Sequence, residues 1–352
     1  MKRVAIIGTH GIPARYGGFE TLAEQLVDST AVHYTVFCSS CNLKDSPKSY
    51  KGADLKYIPL KANGISSIFY DTLSLCRAIR GYDSVLILGV SGCIFLPIFR
   101  LLSRAKIITN IDGLEHKRAK WGTFARWFLR LSERFAIGFS HTIIADNRAI
   151  AEYVTQKYGI TPTLIAYGGD DYCDNTTLDR REQILDLYGV KEHQYTLAIC
   201  RIEPENNCHK ILQAAVDSGC RLLFIGNWDN SEYSSKLKVQ YSDYKNITIA
   251  ETTYDKEVLS VLRRSAARYI HGHSAGGTNP SLVEAMFLCK EIVVYDVVYN
   301  RETTLGNAIY FTDTEHLTSI LLKPSSDNLA LRQIAEKYYR WSDIRRKYEE
   351  LY

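Results

Sequence analysis

The chain has 352 residues, more than one ordinary domain holds and enough for two. Its composition, 46% hydrophobic and 23% charged, is that of a folded globular protein and excludes a disordered or fibrous one. A net charge of +4 is too small to point to nucleic acid, and no apolar run is long and clean enough to span a bilayer.

The elements read as follows in chain order. Val4–Gly8 is a short β-branched run, a buried parallel strand. Lys2-Arg3 leads straight into it with no signal peptide, so the nine scattered cysteines are expected to be reduced thiols of a cytoplasmic protein. The loop Thr9–Phe19 precedes a helix over about Glu20–Ser29. Strands follow at Val32–Cys38 and Leu55–Ile58, then a helix at Ile68–Arg80 and strands at Ser84–Gly89 and Lys106–Asn110. Pro97 and Arg100 interrupt Ser91–Leu102, the run closest to a membrane span. A basic helix covers Thr123–Ile137, His141–Ala145 is a strand and Arg148–Tyr158 a helix.

After Tyr-Gly-Gly-Asp at 167–170 comes a polar stretch, Asp171–Arg180, and the alternation restarts. Strands are predicted at Tyr195–Cys200, Arg221–Ile225, Ile247–Ile249, Ala267–His271 and Ile292–Tyr295. Helices lie at His209–Ser218, Lys256–Ser265 and Pro280–Leu288, with a charged helical segment from Asn328 to Tyr352. Strand–helix alternation in both halves predicts an α/β protein of two facing Rossmann-like domains with a cleft between them. The expected domains are 1–168, 169–335, and a C-terminal helix at 336–352 that returns to the first domain.

Ligands of such sheets bind beyond the carboxyl ends of the strands, and four segments there carry chemistry. The first, Gly8–Glu20, sets Gly17-Gly18 directly before a helix, where backbone approaches a phosphate closely. Its spacing is neither the GxGxxG dinucleotide fingerprint nor GxxxxGK[ST], which disfavours a nicotinamide dehydrogenase and a P-loop NTPase. The second, Asn110–Arg118, offers Asp112 as a general base or a stabiliser of positive charge, or as a cap of its own turn. In the third, Arg201–His209, Arg201 suits a diphosphate, or an ion pair with Glu203 or Glu205, while Glu203 would take a hydroxyl or steer the arginine. The fourth, His271–Met286, is a glycine-rich loop in which Asn279 caps a helix with Pro280 at its first position. Open amides and a helix N-terminus make an anion site, and Glu284 one turn further in would accept hydrogen bonds from sugar hydroxyls.

Lys117, Arg118, Lys120, Trp121, Arg126, Trp127 and Arg130 form a basic, aromatic stretch. It reads either as a surface for an anionic membrane or as a core helix with a solvated basic face. Cys38-Ser-Ser-Cys41 has no second pair, and His271 and His273 have no matching cluster nearby, so no metal site is expected.

These four segments together resemble the retaining GT-B glycosyltransferases of family 4. Within it the chain is similar to a bacterial rhamnosyltransferase-type subgroup, whose N-terminal domain was long catalogued as of unknown function. The matching motifs are Gly-Thr-His-Gly-Ile-Pro-Ala-Arg-Tyr-Gly-Gly-Phe-Glu-Thr, Asn-Ile-Asp-Gly-Leu-Glu, Arg-Ile-Glu-Pro-Glu-Asn-Asn and Gly-Gly-Thr-Asn-Pro-Ser-Leu-Val-Glu-Ala-Met. The resemblance implies transfer of a sugar, L-rhamnose from dTDP-rhamnose, to a polyprenyl-diphosphate-linked saccharide in surface-polysaccharide synthesis. It implies no metal and no separate cofactor, and a place at the inner face of the plasma membrane. Gly17 and Gly18 would face the donor diphosphate, Arg201 would neutralise it, and Glu284 would hold the ribose. Asn206, Asn207, Gly277, Thr278, Asn279, Pro280 and Ser281 would lie along the donor.

Three positions depart from the broad family pattern. Gly276 stands where a first glutamate is usual, Asn206 or Asn207 where a lysine is, and Asp112 where many members have histidine. The alternatives are a transferase of the same fold that uses a UDP-hexose, and a non-catalytic subunit that binds nucleotide sugar.

Overall fold

The computed structural model of the protein describes residues 1–14, 17–41, 46–111, 113 and 122–352. It divides into two compact units, Met1–Tyr167 with Trp341–Tyr352, and Gly168–Arg340.

Unit 1 is built on strands β1 (Lys2–Ile7), β2 (Val32–Ser39), β3 (Ser49–Tyr50), β4 (Ala53–Ile58), β5 (Ser84–Leu88), β6 (Lys106–Asn110), β7 (Thr142–Ala145) and β8 (Thr163–Leu164). Their order across the sheet is β3-β4-β2-β1-β5-β6-β7-β8. Among the described residues, only the pairing of β3 with β4 is antiparallel. Val4 to Ile7 and all of β5 are buried on both faces, as expected where helices cover both sides of a parallel sheet. The helices are α1 (Gly18–Leu26), α2 (Ser66–Arg77), α3 (Leu96–Leu102), α4 (Thr123–Phe139) and α5 (Arg148–Tyr158). α5 shows why its ends are sharp: the Asn147 side chain accepts from Ala149 N, and Gly159 closes it in the left-handed region at φ 71°.

Unit 2 carries β9 (Thr196–Ile199), β10 (Leu222–Gly226), β11 (Ile247–Glu251), β12 (Arg268–His271), β13 (Ile292–Tyr295) and β14 (Ile309–Phe311). All are parallel, in the order β11-β10-β9-β12-β13-β14. This is the doubly wound Rossmann order. Its helices are α6 (Leu178–Leu187), α7 (Cys208–Ser218), α8 (Glu232–Tyr241), α9 (Lys256–Ser265), α10 (Pro280–Leu288), α11 (Val298–Thr303), α12 (Thr314–Leu321) and α13 (Leu329–Tyr338). The polar stretch 171–180 is not all linker: Thr177 accepts from Arg180 N and starts α6.

After α13 the chain breaks at Tyr339-Arg340 and enters α14 (Trp341–Leu351). Trp341, Ile344, Tyr348 and Tyr352 join the core of unit 1 beside Val4, Leu22 and Tyr34. Asn110 Nδ2 donates to the Tyr348 hydroxyl at 2.9 Å, tying the end of β6 to this last helix.

Candidate functional site

In unit 2 the strand order reverses between β9 and β12, and two of the chemistry-bearing segments leave the sheet there. The chain after β9 runs from Cys200 through a short turn, Pro204–Asn206, into α7. The chain after β12 runs from Gly272 to Asn279 and into α10. The two loops are laced together: Asn207 Nδ2 donates to Gly272 O at 2.8 Å, and Ser274 donates through both N and Oγ to Glu205 O at 2.8 Å. Asn206 Nδ2 closes the first loop on Arg201 O at 2.7 Å. A Cβ on Gly272 would stand 2.2 Å from Asn206 O, so only glycine permits this approach. Both asparagines are buried and donate their side-chain N–H to backbone, so they brace the loop that carries Arg201.

The Arg201 guanidinium is 39% exposed and lies 3.7 Å from Glu203 Oε1, a loose ion pair that leaves donors open. Glu203 Oε2 and Glu205 Oε1 are shielded from solvent and have no hydrogen-bond partner among the described residues. The same is true of both ring nitrogens of His271, which stacks on His273 at 4.2 Å between centroids. Burial pushes the His271 imidazole down to about 3, so it is neutral at physiological pH. Buried polar atoms without partners are uncommon and invite a ligand or ordered water.

The start of α10 differs from the expectation of open helix amides. Pro280 has no N–H, the Asn279 side chain accepts from Ser281 N at 3.0 Å, and Leu282 N bonds Asn279 O. The amides available to an anion are those of the loop: Ala275, Gly276 and Gly277 donate to no described residue. Gly276 adopts φ 128°, a backbone that a glutamate would resist and that glycine takes freely. Thr278 is buried. The Ser281 hydroxyl shares a hydrogen bond of 2.7 Å with Tyr269 OH. Glu284 is ion-paired with Arg263 of α9, which is 5% exposed.

In unit 1 the order reverses between β1 and β5, and the Gly8–Gly17 loop leaves β1 there. Two carboxylates one turn apart on α1 hold it. Glu20 accepts from Thr9 Oγ1 at 2.9 Å and from His10 N at 2.7 Å. Glu24 accepts from Ala14 N at 2.6 Å and from Tyr50 OH at 3.1 Å, and pairs with Lys51 at 3.2 Å. Gly17 is the N-cap residue of α1 and Gly18 its first residue, and among the described residues no side chain caps this helix. Its first amides are therefore open in a way those of α10 are not. The Tyr70 hydroxyl bridges Thr9 O and Phe37 O at 2.8 and 2.7 Å. Beside it Asp71 is buried with Oδ1 unpartnered; burial, opposed by a hydrogen bond from the Gly92 amide, pushes its carboxyl up to about 8.

Asp112, Lys117, Arg118, Lys120 and Trp121 lie outside the described residues. On α4, Trp127 and Arg130 are exposed and Arg126 is half-buried. The residues that sequence reasoning passes over are Glu24 and Arg263. Glu24 carries one signal, its i,i+4 spacing from Glu20; Arg263 carries none.

Two Rossmann-like units in series, each with a polar loop at its switch point, define a protein of the GT-B fold class. Residues 1–170 match a family described as a domain of unknown function, DUF1972. No curated protein matches the sequence. Among solved structures, the chain is similar to a sucrose-phosphate synthase from Thermosynechococcus elongatus, at 15% identity and a TM-score of 0.81, covering 100% of this chain and 98% of that one. It is similar to HepE from Anabaena in complex with UDP-glucose, at 12% identity and a TM-score of 0.75, covering 99% of each chain. A glycosyltransferase from Rickettsia africae matches at 13% identity and a TM-score of 0.71, covering 99% and 97%. At such identities the likeness establishes the fold.

Proposed function

We propose that the protein is a glycosyltransferase that takes its sugar from a nucleoside diphosphate donor held by unit 2. The observation that carries this reading is the polar lining of the β9–β12 switch point. Arg201 and the open amides of Ala275, Gly276 and Gly277 suit a diphosphate. The unpartnered oxygens of Glu203 and Glu205 suit sugar hydroxyls. The fold supports the same reading, since solved proteins that share it are named as glycosyltransferases or hold UDP-glucose.

In this reading the bond between the anomeric carbon and the donor phosphate oxygen breaks, and Arg201 stabilises the charge left on the diphosphate. The acceptor hydroxyl attacks the same face, and its proton passes to the departing phosphate oxygen, so configuration is retained. Asp112 orients the acceptor or stabilises the oxocarbenium-like state, and Glu284 receives ribose hydroxyl. No metal takes part. The sequence motifs support dTDP-rhamnose as donor and a polyprenyl-diphosphate-linked saccharide as acceptor, with the protein at the inner face of the plasma membrane. A UDP-hexose is the second reading, favoured by the UDP-glucose held by HepE.

The test is turnover of dTDP-rhamnose and of UDP-glucose on a lipid-linked acceptor, with EDTA present and the product anomer assigned by NMR. Retained configuration from dTDP-rhamnose is the expected result. Turnover of UDP-glucose alone selects the second reading. Donor binding with no turnover on any acceptor makes the protein a non-catalytic subunit.

A further inference from the structure

We infer that the face of unit 1 formed by α2, α3 and α4 docks on an anionic lipid bilayer. The inference deepens the proposed function by naming where a lipid-borne acceptor is met, but it stands on the surface of unit 1 alone. The crossovers β4 to β5, β5 to β6 and β6 to β7 all travel the same way across the sheet. Parallel crossovers are right-handed, so these three helices cover one face, together with α5, whose crossover from β7 to β8 runs the same way. α1, whose crossover runs the other way, packs on the opposite face with α14. α3 packs on α4, and all three helices meet the short turn Cys93–Phe95.

Among the described residues, this face carries nearly all the large apolar side chains that unit 1 exposes. Ile65 and Phe69 stand at the start of α2. Ile98, Leu101 and Leu102 recur at i, i+3 and i+4 on α3, with Leu101 85% exposed. Phe124, 78% exposed, and Trp127 lie one turn apart on α4 with ring centroids 6.0 Å apart. Elsewhere in unit 1, among the described residues, only Met1 and Leu164 are comparable.

The exposed charges of α2, α3 and α4 have one sign, and α5 beside them exposes Arg148 and Lys157 against Glu152. α2, α3 and α4 contain two carboxylates, Asp71 and Glu133, and each is only 4% exposed. Glu133 is held inside by Tyr153, Tyr158 and Lys157. The exposed charges are Arg77, Arg100, Arg130 and Arg134. A solvated helix surface interleaves both signs, whereas apolar tips among arginines on three helices that expose no carboxylate match anionic headgroups over an acyl layer. A second copy of this chain fits poorly, because a two-fold contact would set arginine against arginine.

The test is co-sedimentation of the full chain with vesicles of phosphatidylcholine, alone or with about one-third phosphatidylglycerol. We expect binding to the anionic vesicles at least about tenfold above the neutral ones and falling with salt. Leu101→Ser with Trp127→Ser should cut it by about tenfold or more, with the melting temperature kept because both side chains are already in solvent. Arg130→Gln with Arg134→Gln should lose about tenfold and flatten the salt dependence. Nucleoside diphosphate binding, measured on the same samples, should be unchanged in both pairs. No vesicle binding by a chain that binds nucleotide overturns the inference, as does equal binding by the wild type and both variants. A concentration-dependent dimer abolished by Leu101→Ser overturns it in favour of a self-contact. Vesicle binding without nucleotide binding upholds this surface and sinks the proposed function instead.

Discussion

The buried guanidinium of Arg263 on α9 holds the carboxylate of Glu284 on α10. Arg263 is almost wholly inside the protein while Glu284 is partly in solvent, so the pair fixes an acceptor at the surface by a cation anchored beneath it. Removing the exposed partner leaves the buried cation without its counter-charge. Glu284→Gln should therefore cost about 1–3 kcal/mol in chemical denaturation and weaken nucleoside diphosphate binding about tenfold in calorimetry. Unchanged affinity in a folded variant would remove Glu284 from the site.

Arg201 bears the most direct prediction. Its ion pair with Glu203 is long and half in solvent, so truncation should barely alter the melting temperature. Arg201→Ala should lose about 1.5–3 kcal/mol of diphosphate affinity, the range for a charge-assisted hydrogen bond. Arg201→Lys should recover only part, because an ammonium cannot grip two phosphate oxygens with a planar fork. Equal affinity for UDP or dTDP across the three proteins would place the diphosphate elsewhere.

Gly272 tests the lacing of the two loops. A methyl group there meets Asn206 O at 2.2 Å, and the strand behind it is fully buried, so the loops must part. Gly272→Ala should destabilise unit 2 by about 1–3 kcal/mol and reduce nucleotide binding with it. A variant as stable as the wild type would show that the loops separate freely.

Asp71 predicts a pH dependence. Its folded-state carboxyl titrates near 8, against 3.8 for an ordinary aspartate. The folded protein thus holds the proton more tightly than the unfolded chain. The stability this contributes is full below about pH 4 and is lost as pH rises through the folded value. Asp71→Asn removes that slope. Its unfolding free energy relative to wild type should rise between about pH 4 and pH 8, by a few kcal/mol in total. Parallel curves over that range would show that the carboxyl is ionised in the fold.

Much of the architecture is legible in the order of the amino acids. Lys106–Asn110, Arg148–Tyr158, Lys256–Ser265, Pro280–Leu288 and Ile292–Tyr295 have the bounds that the sequence predicts. These elements have strong local signals: continuous apolar strands, or caps such as Asn147, Asp255 and Asn279. α8 escapes a reading by apolar periodicity because its start is a Ser231–Ser234 capping box and its sequence is largely polar. α6 escapes it because its first turn lies inside a run that reads as linker. At the site, the glycines, Arg201 and the cap at Asn279 are legible because each is local. What is not legible depends on distant partners: Arg263 reaching Glu284 and Asn207 reaching Gly272. The closure of the α10 amides is legible in principle, since Asn279 and Pro280 that mark the helix also use up its first donors.

The return of α14 to unit 1 makes the two units unequal in what they need to fold. Unit 2 is one uninterrupted stretch, Gly168–Arg340, whereas unit 1 needs Trp341, Ile344 and Tyr348 to complete its core. Every part of the core of unit 2 therefore lies in one continuous segment, whereas the apolar interior of unit 1 stays unsealed until α14 docks. A released chain cut back to end at Arg340 should leave the first half open to protease and the second resistant.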